Sequence, residues 1–434
     1  MHNKAKKGLT LPHIKDIIVM LCAEMTIYQR IVITSIFTPQ MRSLKIQKFF
    51  WRKIMKKAIA LVLALVLVLS FAACGKKADS SDVIKIGGIG PLTGAAAMYG
   101  EGTKNGSQIA VDEINALGGI QFELNWQDDE HDAEKSVNAY NNLKDWGMQV
   151  LVGTTTTTPS VAVSTEANND RIFMLTPSAS SPEVTKGKDN VYQMCFSDDN
   201  QGTASAQYIS ENALGTKIAV IYNNADAYST GIYNKFAAEA EARGLEIVSV
   251  TTFTDDTATD FSVQIADAKD NGADLIFLPM YYTPASMILS QCNSIGYAPK
   301  FFGVDGMDGI LDLDGFDTSL AEGVMLLTPF NADAQDEATK SFVTKYQEQF
   351  NIIPNQFAAD AYDCVYALYE VIKEKGITAD MDAEEMCDIF IESFSAEGFS
   401  FDGLTGEGMT WSTAGEVDKA PKGCVIQNGA YVGM

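Results

Sequence analysis

The chain reads as an α/β protein built of two doubly wound parallel-sheet domains, and three observations predict it. From Val83 onward short β-branched runs alternate with amphipathic stretches, the pattern that parallel sheets with crossover helices produce. The number of such β/α units exceeds what one domain of ordinary size uses. With 434 residues, 46% of them hydrophobic, the chain has enough apolar material for two packed cores.

An export segment precedes the first unit. Met55 to Cys74 reads MKKAIALVLALVLVLSFAAC, in which Lys56 and Lys57 stand before an uncharged apolar run from Ala58 through Ala73. That is a signal-peptide layout. The run is short for a hydrocarbon core of about 30 Å and ends in small residues. Phe71, Ala72, Ala73 and Cys74 resemble a bacterial lipobox, whose cysteine is diacylated and becomes the mature N-terminus. Two acyl chains suffice for stable attachment, so Cys74 is the expected lipid anchor; an uncleaved transmembrane helix is the alternative. GKKADSSD, residues 75–82, is a short polar linker. Residues 1–54, basic and without relation to export, read as a non-native extension, with Met55 the expected start. Were the longer form real, its basic segment would stay cytoplasmic.

Charge and rare residues narrow the function. Residues 1–57 hold 12 of the 32 basic side chains and 2 of the 56 acidic ones, so the remainder carries about −34 and repels phosphate backbones. No nucleic-acid partner is expected. The seven cysteines include no CxxC pair, which leaves no zinc or dithiol motif. Past the export segment Cys195, Cys292, Cys364, Cys387 and Cys424 remain, an odd number that leaves at least one unpaired in a monomer. Of the three histidines, His2 and His13 lie in the N-terminal segment and His131 alone follows it. No metal cage and no cofactor is expected.

The candidate strands include Val83–Ile89, Phe122–Gln127, Gln149–Val152, Ile172–Leu175, Lys217–Tyr222, Glu246–Val250 and Leu275–Leu278. Amphipathic helices are expected at Thr103–Leu117, Ala133–Trp146, Thr203–Ala213, Gly231–Arg243 and Phe261–Ala268. A solute in such folds sits outside the carboxyl ends of the strands. There stand GGIGPLTG, GTTTTTPS, LTPSASSP, YNNADAYSTG, PMYYTP and FFGVDG, rich in the small, hydroxyl, aromatic and acidic residues that hold a small polar solute. Enzyme motifs are missing. GGIGPLTG looks superficially like a dinucleotide loop with Asp112 about 20 residues on, but Pro91 interrupts the turn and the acid falls inside a helix pattern. Neither GxSxG nor GxxxxGK[ST] occurs, and His131 in QDDEHDAEK reads as part of a solvated stretch.

Taken in order, GGIGPLTGAAAMYG, AVDEINALGGI, the pair Asp128 and Asp129, VGTTTTTPS and TPSASSPEVT resemble the leucine/isoleucine/valine-binding protein family. These are the type I periplasmic binding proteins of branched-chain amino-acid ABC importers, and the resemblance covers nearly all of Val83 to Met434. It implies two Rossmann-like lobes, 83–197 plus 330–405 and 198–329 plus 406–434. They are joined by three crossovers near Ser197 to Asp199, Leu327 to Pro329 and Leu404 to Gly408, and they close on the ligand about a hinge.

The resemblance also places a site. The hydroxyl that takes the ligand's carboxylate falls at Thr157, with Thr156 beside it and Pro159 suited to a helix N1 position; free amides at that helix start favour an anion. A plain strand-to-helix turn with an N-cap is the competing reading. Ser178 and Ser180 match the pair that receives the ligand's ammonium, or are turn residues. Asp305 matches the acid that balances the ammonium, a glutamate in the branched-chain binder, or is a solvated loop acid near Asp308. Tyr99, Tyr228 and Tyr281 match aromatic walls, with Tyr282 an alternative to Tyr281. Thr155 and Thr156 stand where binders of aliphatic side chains often carry apolar residues, so a more polar side-chain pocket is expected.

The resulting expectation is an extracytoplasmic lipoprotein, held on the outer face of the cell membrane by Cys74. It binds an amino acid, branched-chain or more polar, and delivers it to the permease subunits of an ABC importer. It is expected to be a monomer and not an enzyme. A ligand-sensing surface receptor of the same fold, or a binder of a non-amino-acid solute, is the alternative; the lack of a second membrane span after Met434 favours a detached binding component.

Overall fold

Near-continuous apolar runs form strands buried on both faces, as parallel sheets require. The computed structural model describes residues 83–434; the export segment, Cys74 and the 75–82 linker lie outside the described residues. In the first lobe β1 (Ile84–Gly90), β2 (Phe122–Asp128), β3 (Val150–Gly153), β4 (Phe173–Thr176) and β5 (Val191–Gln193) form one sheet in the order β2-β1-β3-β4-β5. Every pairing is parallel, with β1 central between β2 and β3. Period-two alternation divides the side chains. Val150, Val152, Phe173 and Leu175 pack in one core with α1 (Ala97–Leu117), α9 (Gln356–Lys375) and α10 (Ala383–Phe394). Leu151 and Met174 face the opposite core with α2 (Ala133–Trp146) and α3 (Thr157–Asn169).

The second lobe repeats the scheme. β6 (Lys217–Asn223), β7 (Glu246–Phe253), β8 (Leu275–Leu278), β9 (Lys300–Gly303) and β10 (Met325–Thr328) lie parallel in the order β7-β6-β8-β9-β10. Helices α4 (Asp198–Glu211) and α5 (Ala227–Arg243) pack on one face, α6 (Ser262–Asp270) and α7 (Tyr282–Ser294) on the other. An antiparallel hairpin, β11 (Lys422–Gln427) and β12 (Ala430–Gly433), closes the β10 edge. Its two-residue loop is Asn428-Gly429, both at positive φ (53° and 73°), the backbone that matches strand twist in a tight hairpin. Helix α8 (Glu337–Phe350) completes the first lobe's set.

The chain changes sheet between β5 and α4, where Ser197 accepts a hydrogen bond from the Asn200 amide at 3.3 Å, and again between β10 and α8. The third crossover and its boundary differ from expectation. Residues 406–417 are expected in the second lobe, yet Met409, Trp411 and Val417 are buried in the first lobe's core. The Trp411 indole donates to the Gln193 carbonyl at 2.7 Å, and the Gln193 amide donates to the Gly415 carbonyl at 2.9 Å. Burial of these apolar side chains holds the segment back, and the chain joins the second sheet only at Lys422.

Candidate functional site

Both lobes belong to one compact unit and they stand closed. The Tyr99 hydroxyl donates to the Gly306 carbonyl across the gap, and the Thr283 hydroxyl donates to the Ala95 carbonyl at 2.9 Å. Between the lobes lies a cavity of ≈ 10 Å³, about one water's room. The first lobe lines it with Tyr99, Thr155, Thr156, Thr157, Ser178 and Phe357, the second with Tyr228, Tyr281, Asp305 and Gly306. A larger ligand enters only when the walls separate, which a hinge permits.

The first wall is the turn from β3 into α3. Thr156 occupies the N-cap in extended conformation, φ −111° and ψ 154°, without a side-chain cap bond. The α3 helix starts at Thr157, so Pro159 is the third helical residue rather than N1. It still falls in the first turn, where a missing N–H sacrifices no intrahelical bond. The first amides of α3 have no acceptor within the helix, and the dipole's positive end favours an anion there. Hydroxyls brace the turn from behind. Ser178 donates to the Thr155 carbonyl at 2.6 Å, Thr176 to the Thr154 carbonyl at 2.6 Å, and Thr155 and Thr103 share a bond at 2.9 Å.

The opposing wall is built on Asp305, which follows β9 and is 4% exposed. Its carboxylate accepts from the Tyr228 hydroxyl at 2.5 Å and its amide donates to Gln201 Oε1 at 3.2 Å. Gln356, at the start of α9 in the first lobe, donates to the Asp305 carbonyl at 2.7 Å and through its own amide to Asp308 at 2.8 Å. Burial pushes the Asp305 carboxyl up to about 7 even against the Tyr228 hydrogen bond. Asp308 is buried as well and is raised to about 6 by the same cause; it is not a solvated loop acid. Tyr281 stacks on Tyr228 with ring centres 4.9 Å apart and 11° between planes. Tyr282 instead turns away from the cavity, its hydroxyl accepting from the Met98 amide at 3.4 Å.

Seven of the eight expected ligand-binding residues thus line a single cavity: Tyr99, Thr156, Thr157, Ser178, Tyr228, Tyr281 and Asp305. Ser180 does not. Its hydroxyl donates to Asp198 at 2.7 Å, because the turn after β4 directs it toward the start of α4. Asp198 is itself buried, its carboxyl held well above the ordinary range by desolvation. Gly306 and Phe357 are additions to the expected set, and Thr155 reads in the sequence only as a departure from an apolar position. Phe357 comes from a distant helix with no motif of its own. His131 also differs from expectation. It is half-buried, with Nδ1 2.8 Å from the Thr156 hydroxyl and its ring centre 5.5 Å from that of Tyr281, because a backbone turn at φ 61° swings it toward the cleft. All five described cysteines are free and buried, and no metal-ligating cluster occurs among the described residues.

Residues 83–420 match the family model described as Periplasmic binding protein. The Leu/Ile/Val-binding protein BraC3 of Rhizobium johnstonii is 30% identical over 305 residues, covering 69% of this chain and 82% of that protein. Among solved structures, the branched-chain amino acid transporter substrate binding protein LivJ from Streptococcus pneumoniae, in complex with isoleucine, superposes with a TM-score of 0.73 at 26% identity. That match covers 80% of this chain and 97% of the other. An R. palustris ABC transporter solute binding protein in complex with benzoate shares the fold, with a TM-score of 0.72, 20% identity and coverage of 81% and 95%.

Proposed function

The chain belongs to the periplasmic binding protein family, in its Leu/Ile/Val-binding branch, and from that premise we propose that it captures a free amino acid between its lobes for an ABC importer. On this reading it is a lipoprotein held outside the cell membrane by diacylated Cys74, and its closed form docks on the permease subunits. The relatives are solute-binding proteins rather than enzymes, and capture requires no covalent chemistry. The observation that carries the proposal is the polarity of the cavity: a helix N-terminus with threonine hydroxyls on one side, a buried carboxylate on the other. These two ends complement the carboxylate and ammonium of a zwitterion. Tyr99, Tyr228 and Tyr281 supply apolar faces with polar tips, which suits an aliphatic or hydroxylated side chain.

A second reading has support in the cavity's four aromatic rings and in the benzoate complex of a fold relative: an aromatic carboxylate. Asp305 separates the two. It gains from an ammonium, whereas an aromatic acid brings a second negative charge into the same desolvated space. Titration calorimetry with the twenty amino acids, benzoate and 4-hydroxybenzoate tests the choice. Heat from at least one amino acid, lost in Asp305→Asn, is expected; heat from benzoate alone, undiminished in Asp305→Asn, supports the aromatic acid instead.

A further inference from the structure

His131 has no part in the zwitterion scheme, yet it touches both walls of the cleft. Its amide donates to Asp129 at 3.0 Å, which fixes the turn, and its ring meets Tyr281 of the other lobe edge-on, with 90° between planes. Nδ1 lies 2.8 Å from the Thr156 hydroxyl oxygen. That hydroxyl forms no cap bond with its own helix, and the imidazole is its hydrogen-bond partner. Thr156 in turn lines the cavity beside the first turn of α3.

A hydroxyl has one proton and two lone pairs, so the imidazole's choice of tautomer decides what Thr156 shows the cavity. If Nδ1 is bare, Thr156 gives it the proton and presents only lone pairs, which repel a carboxylate. If Nδ1 carries hydrogen, Thr156 accepts it and keeps its own proton for the cavity. We infer that His131 is a positioning residue that donates from Nδ1 to Thr156, so that the Thr156 hydroxyl donates to the carboxylate of the bound ligand. The inference rests on the amino-acid reading above. Burial pushes the imidazole below its ordinary value, with Asp255 of the second lobe and Asp132 of its own turn opposing. The imidazole is therefore neutral, with one ring nitrogen protonated; hydrogen on Nδ1, the nitrogen facing Thr156, is the tautomer the role requires, and free histidine favours the opposite one. The contact with Tyr281 joins the two lobes, so closure completes the hold on Thr156.

The test uses the full chain with L-leucine and L-threonine as probes. Nitrogen-15 NMR of the imidazole, its signal identified by loss in His131→Asn, is expected to show a protonated Nδ1 and bare Nε2 in the bound state. His131→Phe retains the edge contact and removes the donor; affinity falls about 3- to 10-fold, the worth of one net hydrogen bond. His131→Asn, whose amide restores a donor near the same place, recovers affinity to within about 2-fold of wild type. Thr156→Val loses as much as His131→Phe, and the double variant loses no more, as coupled partners do. Undiminished affinity in His131→Phe, additive losses in the double variant, or an Nε2-protonated bound form each overturns the inference while leaving the amino-acid site intact. Wild-type protein that binds neither probe nor any other of the twenty amino acids removes the ligand class, and this role with it.

Discussion

Replacing Asp305 by Asn separates binding from stability, and the two effects have opposite signs. The carboxyl is buried and its pKa is raised from 3.8 to about 7, chiefly by desolvation. Below pH 3.8 folded and unfolded chains both keep the proton and the group is neutral to stability. Between 3.8 and about 7 the unfolded chain ionises first, so stability is lost as pH rises, and above about 7 the loss is complete. A shift of that size corresponds to about 4 kcal/mol as an upper limit, at 1.36 kcal/mol per unit. Asparagine removes the charge but retains the oxygen that accepts from Tyr228, while its amide hydrogens go without a partner. The expected net gain is about 2 kcal/mol for the ligand-free protein at pH 8 and close to zero at pH 4. Binding moves the other way. An ammonium pairs with the ionised carboxylate, so wild-type affinity weakens about tenfold per pH unit below about 7, and Asp305→Asn loses about 2–5 kcal/mol of binding with no such pH dependence. Urea unfolding at pH 4 and 8, with calorimetry across the same range, measures both. A variant less stable than wild type at pH 8, or one that binds an amino acid within a few-fold of wild type, refutes the reasoning.

Other positions carry independent tests. Lys419 is buried, 2.9 Å from Asp360 and 2.5 Å from the Thr405 hydroxyl; Lys419→Met strands the buried Asp360 and is expected to cost about 3–5 kcal/mol in urea unfolding at pH 8. That loss shrinks at pH 5, because Asp360, already raised to about 6, takes up a proton more readily without its partner. Gly106 brings α1 against the Ala358 carbonyl of α9, where an added Cβ would strike backbone. Gly106→Ala should therefore lower stability by about 1–3 kcal/mol, despite alanine's better helix propensity. Cys74→Ala removes the proposed site of acylation and is expected to move the protein from the membrane to the soluble extracytoplasmic fraction, read by fractionation and immunoblot.

Seven of the ten parallel strands were legible because buried parallel strands are written as β-branched and apolar runs, and Leu275–Leu278 in the structure has the bounds the sequence gives it; the short β5, β9 and β10 were not among the named strands. The turn chemistry of Asn428-Gly429 is equally plain in the sequence QNGA, although the final hairpin was not among the expected strands. The third crossover was misplaced because residues 401–417 have no periodic element to announce them. They are held by isolated bridges, Phe401 with Met409 and Trp411 with Val417, and by one indole hydrogen bond across more than two hundred residues. Ser180 and His131 failed in opposite directions for a single reason: the sequence gives residue types around a turn but not the direction of each side chain. Five acids around His131 suggested solvent, whereas the backbone at φ 61° presents the ring to Thr156.

The charge distribution around the cleft links closure to ligand chemistry. Asp198, Asp226, Asp305 and Asp308 are all buried in the closed form, each with its carboxyl raised by desolvation, and no lysine or arginine is among the residues lining the cavity. In the closed form these carboxylates are thus held out of water with no lysine or arginine lining the cavity to compensate, an arrangement that is costly when they are ionised. On the proposed reading the ligand's ammonium provides that compensation at Asp305, while its carboxylate is met by amides and hydroxyls that have no charge of their own to lose. Selection of a cationic nitrogen then follows from the burial of the site, since a solute without one leaves Asp305 unpaired. The side-chain pocket needs only to sort among molecules that have already satisfied this condition, which is the work left to the three tyrosines and to Phe357.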